Sequence, residues 1–150
     1  MTASTEPAVP VRYLLDVNLL VALAAPRHVH HGRTHAWLAG ISSWLTSPVT
    51  ESGLVRVLTT PAAMGEPVPM ARALELLRAL HAHPGHGFLA DDATAADPRI
   101  SYARLASRRD VTDVHLVDLA ARHGVVLATL DRDIPSLLEE ADRGHVLVIP

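Results

Sequence analysis

Asp16, Glu51, Asp113 and Asp131 are the residues of this chain best placed to do chemistry. Asp16 follows the apolar run Tyr13-Leu14-Leu15, and Asp131 follows the run Val125 to Leu130. Each acid therefore stands at the carboxyl end of an expected strand, the edge at which open α/β sheets bind ligands. Glu51 and Asp113 follow Thr50 and Thr112, expected N-caps, so each opens a helix at the end whose dipole favours a carboxylate. Helix starts that follow strands lie at that same edge, so four acids distant in sequence are expected to converge. Converged carboxylates cannot all stay ionised without a cation. Hard oxygen donors of this kind suit Mg²⁺ or Mn²⁺. Such an ion orients a water, lowers its pKa and stabilises the oxygens of an in-line phosphoryl displacement, so the chemistry implied is phosphodiester hydrolysis. Taken singly, each of the four reads better as a plain helix or turn cap; taken together, the recurrence of one type of position points to a metal.

The elements that must position these acids are read from apolar periodicity. The stretch from Arg12 predicts a buried strand of about five residues, then a helix from Asn18 to Ala25 that Pro26 stops. Asn18 falls at its N-cap or first turn. A second helix is expected from about His28 to Ser43, a short strand over Leu45 to Val49, and a helix over Ser52 to Leu58. Gly65 to Pro69 reads as a loop. Met70 to His81 carries Ala73, Leu74, Leu76, Leu77 and Leu80 at helical spacing. Phe88-Leu89-Ala90 is an expected strand, and Ala93 to Arg109 an expected loop with one helix. The helix from Thr112 ends at Gly124, and Val125 to Leu130 has the apolar, β-branched character of a central strand. A short helix over Pro135 to Ala141 and a strand over His145 to Ile149 close the pattern. Alternation of strand and helix predicts a three-layer α/β/α fold with a mainly parallel central sheet, a single domain over 11–150 behind a loose leader over 1–10.

Helix geometry sorts the remaining acids. At about 100° per residue, Asp113 shares a stripe with Leu116, Val117 and Ala120 and faces the sheet, whereas Asp118 is expected to face solvent or an edge. Between Asp131 and Asp133, the turn after the strand can aim either one inward. His31 and His35, four apart on one helix face, have metal-ligand spacing, but no third ligand stands nearby and a polar helix face is the better reading.

Composition removes several alternatives. The formal charge is −3, so no overall basic field draws the chain to a polyanion. All 13 basic residues are arginine, which removes any mechanism that needs a lysine. There is no cysteine, hence no disulfide, zinc–thiolate site or thiol nucleophile, in keeping with a cytoplasmic protein. No apolar stretch reaches the roughly 18 residues of a membrane span, and residues 1–10 do not read as a signal peptide.

Four segments together carry a family resemblance. They are Leu15-Asp16-Val17-Asn18-Leu19-Leu20, Thr50-Glu51-Ser52-Gly53-Leu54-Val55-Arg56, Val111-Thr112-Asp113-Val114-His115-Leu116, and Leu127-Ala128-Thr129-Leu130-Asp131-Arg132-Asp133. In order and spacing the chain resembles the PIN-domain nucleases, and most of all the VapC toxins of bacterial type II toxin–antitoxin pairs. The resemblance implies a compact α/β/α endoribonuclease dependent on Mg²⁺ or Mn²⁺, with Asp16, Glu51, Asp113 and Asp131 as its metal-binding and catalytic acids. It implies that Asn18 and Thr129 support the cluster by hydrogen bonding, with Asp133 in reserve for Asp131. It also implies a homodimer and a cognate antitoxin that blocks the site. Arg56 and Arg132 flank the acids and are candidates for contact with RNA phosphate or an antitoxin carboxylate, or equally are solvated surface arginines.

Other readings weigh less. Ten histidines invite a metal-free attack by the RNA 2′-hydroxyl, but they are scattered, with no evident acid–base pair. Aspartates at strand ends, with a pair such as Asp91-Asp92, also resemble phosphoacceptor receiver domains, which use a lysine that this chain lacks. An RNA-processing nuclease outside a toxin–antitoxin pair, or a metal-binding module without turnover, would keep the same acids.

Overall fold

The computed structural model describes residues 8–61, 65–66 and 68–150. Of the leader expected over 1–10 and the loop expected over Gly65 to Pro69, residues 1–7 and 67 lie outside the described residues. Among the described residues, five parallel strands form one sheet in the order β3-β2-β1-β4-β5. They are β1 Tyr13–Leu15, β2 Trp44–Thr46, β3 His86–Phe88, β4 Val126–Thr129 and β5 Val146–Val148. The chain steps outward from β1 through β2 to β3, then crosses back to the other side of β1 for β4 and β5. The direction of winding therefore reverses between β1 and β4, where Leu14 pairs with Leu127 and Leu15 with Ala128. Such a reversal opens a crevice beyond the carboxyl ends of the two strands.

Helices cover both faces, as the alternating pattern predicts. On one face lie α1 (Val17–Ala24), α2 (His31–Ala39), α3 (Pro48–Leu58) and α4 (Met70–His81), with α5 (Val111–Arg122) on the other. The pleat sends alternate side chains to opposite faces. Leu15, Trp44 and Ala128 join Leu19, Leu20, Leu54 and Leu58 in one core, while Leu14, Leu45 and Leu127 join Val114, Val117 and Leu119 in the other. Gly124 ends α5 with φ +63, a conformation that favours glycine.

α1 and α3 cross where Gly53 meets Val17, and a Cβ at Gly53 would clash with Val17 Cγ2. Val17 is β-branched and stiff inside a helix, so withdrawing it means leaving its preferred rotamer. Gly53→Ala should therefore cost about 1–3 kcal/mol by overpacking, seen as a lower urea midpoint at unchanged m-value.

Several expected boundaries move, each for a local reason. α3 starts at Pro48, whose preset φ suits a first helical position. Ser47, not Thr50, is its N-cap; Thr50 completes the capping box, with the Ser47 N–H donating to Thr50 Oγ1 at 2.9 Å. Thr112 is not a cap either, because α5 begins at Val111 on the end of a 3₁₀ turn, Arg108–Asp110, that Ser107 caps. Asn18 sits inside the first turn of α1, and Asp16 is the N-cap. α2 ends at Ala39, followed by Gly40, short of Ser43. β3 lies two residues earlier than expected, in register with β2 through Trp44↔His86 and Thr46↔Phe88. As an edge strand it needs no continuous apolar run. Of residues 93–109, only Arg108 and Arg109 are helical, within that 3₁₀ turn, and two further 3₁₀ turns, Ile134–Leu137 and Glu140–His145, replace the short helix after β4.

Asp118 departs furthest from expectation. It is fully buried and accepts a hydrogen bond from the Arg99 N–H at 2.6 Å. The outer face of α5 is covered by the irregular segment that carries Ile100, Tyr102 and Leu105 into the core, so the side opposite the sheet is not solvent.

Candidate metal centre

Asp16, Asp113 and Asp131 line one cavity of about 420 Å³ together with Val17, Asn18, Val21, His28 and Val57. The cavity lies at the reversal between β1 and β4. Asp16 emerges from β1 and is 5% exposed. Its Oδ1 accepts from the Val17 N–H at 2.7 Å and its Oδ2 from the Thr129 hydroxyl at 2.7 Å. Thr129 is buried at the end of β4 and is the hub of the site. Its oxygen accepts from Asn18 Nδ2 at 3.1 Å and from the Asp131 N–H at 3.0 Å. Asn18 Oδ1 in turn accepts from the Leu130 N–H at 3.1 Å. These bonds tie the end of β1 to the end of β4 and hold Asp16 and Asp131 at fixed positions. Asp131 Oδ1 accepts from the Asp133 N–H at 2.8 Å, a local turn that leaves Asp131 at the cavity and Asp133 exposed. Asp113 reaches the cavity from the first turn of α5.

Thr129→Val keeps the shape of that hub but removes both its donor to Asp16 and the oxygen that accepts from Asn18 and the Asp131 N–H. A buried carboxylate that loses a bond costs about 2 kcal/mol, and supports of this kind are worth about 10- to 100-fold in activity. Urea denaturation and initial rates should show both losses in Thr129→Val and neither in Thr129→Ser.

The electrostatics of the cavity favour a cation. Burial raises the pKa of Asp16; the bonds from Thr129 and Val17 oppose the rise, and Asp131 adds to it. Asp113 is pushed up to about 6 by burial, then by the charges of Asp16, Asp131 and Asp110. Among the described residues that line the cavity there is no arginine. The donor set is all hard oxygen, the set that Mg²⁺ and Mn²⁺ prefer. The residues present fit such an ion.

Glu51 is placed elsewhere. From the first turn of α3 its carboxylate reaches Thr46 and His81, and it is not among the described residues that line the aspartate cavity. Its Oε1 accepts from the Thr46 hydroxyl at 2.6 Å and from His81 Nε2 at 2.5 Å. It lines a separate groove with Pro48, Ser52, Val55, Arg56, Thr59, Met70, Leu77 and Phe88. Arg56 is exposed between that groove and one that includes Thr112, and Arg132 is exposed beside Asp131.

The histidines divide by environment. His31 and His35 donate to the carbonyls of Ala22 and Leu23 at 2.8 and 3.0 Å, so they join α2 to the last turn of α1. His28 lines the aspartate cavity, a placement that sequence spacing did not indicate. Burial, then His30 and His31, lower its pKa, so at neutral pH it brings a ring without a charge. The His-Val-His-His run after Pro26 was its one visible signal.

Comparison with known proteins bears on these features. A family model described as the PIN domain matches residues 13–139. The chain is 43% identical over 135 residues to Ribonuclease VapC38 of Mycobacterium tuberculosis, spanning 89% of this chain and 94% of that protein. It is 39% identical over 142 residues to Ribonuclease VapC39 of the same organism, spanning 91% and 98%. Among solved structures, PAE2754 from Pyrobaculum aerophilum aligns with a TM-score of 0.60 at 22% identity, over 98% of this chain and 90% of that one. Mycobacterium tuberculosis VapC20, described as a sarcin-ricin loop cleaving toxin, aligns with a TM-score of 0.54 at 14% identity, over 83% and 93%. At those identities the two structures speak for the fold.

Proposed function

The chain belongs to the PIN-domain family, in its VapC branch, and on that premise we propose that it is a metal-dependent endoribonuclease and the toxin of a type II toxin–antitoxin pair. The observation that carries the metal-dependent reading is the gathering of Asp16, Asp113 and Asp131 at the β1–β4 reversal, with Asp113 pushed up to about 6. These three carboxylates would hold Mg²⁺ or Mn²⁺, and Glu51 is left out of the set because Thr46 and His81 engage it. When bound, such an ion lowers the pKa of the attacking water and offsets charge on the phosphate oxygens.

The chain's own residues do the rest. The Thr129 hydroxyl keeps Asp16 Oδ2 in place, and Asn18 fixes the backbone from which Asp131 projects. Val17, Val21 and Val57 give the cavity an apolar lining beside the carboxylates. Arg56 and Arg132 are candidates for the flanking phosphates of RNA, or for a carboxylate of the antitoxin. A homodimer acting in the cytoplasm completes the reading, and no described helix is long and apolar enough to cross a membrane.

RNA incubated with the purified protein tests the proposal. Cleavage should require Mg²⁺ or Mn²⁺, stop in EDTA and leave 5′-phosphate ends. Cleavage that persists in EDTA and leaves cyclic phosphates would overturn it in favour of attack by the 2′-hydroxyl.

A further inference from the structure

We propose that Glu51, His81 and His86 form a second metal site, separate from the aspartate cavity and suited to Zn²⁺ rather than Mg²⁺. The proposal goes beyond the nuclease reading and does not depend on it. One ligand atom from each of the three residues lies within 4.8 Å of the other two. The residues come from three elements: Glu51 from α3, His81 from the last turn of α4 and His86 from the first position of β3. Their rings and carboxylate are already in contact, with His81 Nε2 2.5 Å from Glu51 Oε1 and the two imidazole centroids 4.2 Å apart.

The donor chemistry separates the two sites. Two imidazoles and one carboxylate are a ligand set that zinc takes with a fourth position left open, at about 2.0–2.2 Å per bond. Bonds of that length put neighbouring ligand atoms roughly 3.3 Å apart in a tetrahedron, so closure on an ion needs shifts of about an ångström in side chains alone. Imidazole also shifts preference away from Mg²⁺ and toward Zn²⁺, Co²⁺ or Ni²⁺. Thr46 supplies the outer support that such sites use: its hydroxyl stands 2.6 Å from Glu51 Oε1 and 2.7 Å from His86 Nε2. Glu51 and His86 are half-buried while His81 is exposed, which leaves a path of entry from solvent. A bound ion would clamp the edge strand β3 and the end of α4 to α3.

Co²⁺, whose visible spectrum reports coordination, is the probe. The full-length protein, held in excess Mg²⁺ to occupy the aspartates, is titrated with Co²⁺ and then with Zn²⁺. The expected result is an intense four- or five-coordinate Co²⁺ band saturating at about one equivalent and displaced by Zn²⁺. The band should survive Asp113→Asn, vanish in His81→Ala, and need at least about tenfold more Co²⁺ in Glu51→Gln. His81 is exposed at a helix end, so its removal spares the core; Glu51→Gln keeps the side-chain shape should His81→Ala lower the melting temperature. A weak six-coordinate spectrum, a band unchanged in both variants, or a band lost in Asp113→Asn would overturn the proposal and leave the cluster as a hydrogen-bonded His–Glu contact.

Discussion

Asp113→Asn is expected to abolish RNA cleavage while leaving the metal-free protein as stable as the parent or more so. The loss should be about 10³-fold or greater, because on the proposed reading a neutral amide at that position would weaken the hold on the ion whose charge the reaction would use. The gain in stability follows from the sign of the pKa shift. Asp113 rises from an ordinary 3.8 to about 6 in the folded chain, so between those values the folded state binds its proton more tightly than the unfolded one. The contribution of Asp113 to metal-free stability therefore falls as pH climbs from about 4 to about 6 and stays low above that window. Asp16 is shifted in the same direction and adds to the fall. Replacing Asp113 by Asn removes its share, raising the melting temperature at pH 7 by a few degrees per kcal/mol of relieved repulsion. Added Mg²⁺ acts the other way, so its stabilisation of the parent protein should be greater at pH 7.5 than at pH 5. Thermal melts across that range, with and without Mg²⁺, check both signs. A large fall in the metal-free melting temperature of Asp113→Asn would make Asp113 a structural helix cap.

The contrast between Asp131 and Asp133 carries the next largest effect. The two acids are two residues apart and chemically alike, but the turn between them places Asp131 at the cavity and leaves Asp133 exposed. Asp131→Asn should reduce cleavage about 10³-fold, whereas Asp133→Asn should stay within about threefold of the parent. Asn at 131 can still accept the bond from the Asp133 N–H, so the turn survives and the loss is one of charge. Initial rates at saturating Mg²⁺ for the two variants decide this. Equal losses would mean that both carboxylates reach the ion, and a larger loss for Asp133 would reverse the assignment.

What could be read ahead of the fold depended on how local each signal was. Asp16 and Asp131 follow short apolar runs, and a strand followed by an acid needs no tertiary knowledge to locate the carboxyl edge of a sheet. The helix over Met70–His81 was legible to the residue, because its apolar spacing is regular and a proline precedes it. Glu51 was harder. Thr50-Glu51 reads as a cap and a first-turn acid, and Glu51 does lie in the first turn, but the cap is Ser47 and the carboxylate meets Thr46 and His81, a pairing set by how α4 docks beside α3. Asp118 was misplaced for a different reason. A helical-wheel argument assumes one packed face and one wet one, and the segment that covers the outer face of α5 has no periodicity to announce itself. The grouping of Glu51, His81 and His86 depends on where the edge strand β3 docks, which no spacing along the chain records.

A crystal of the protein grown or soaked with Mn²⁺, measured for anomalous scattering, tests the central claim most directly. The predicted result is a Mn²⁺ peak inside the cavity formed by Asp16, Asp113 and Asp131, lost in crystals of Asp113→Asn. Mn²⁺ bound only elsewhere, in a protein that cleaves RNA in the same Mn²⁺ solution, would contradict it.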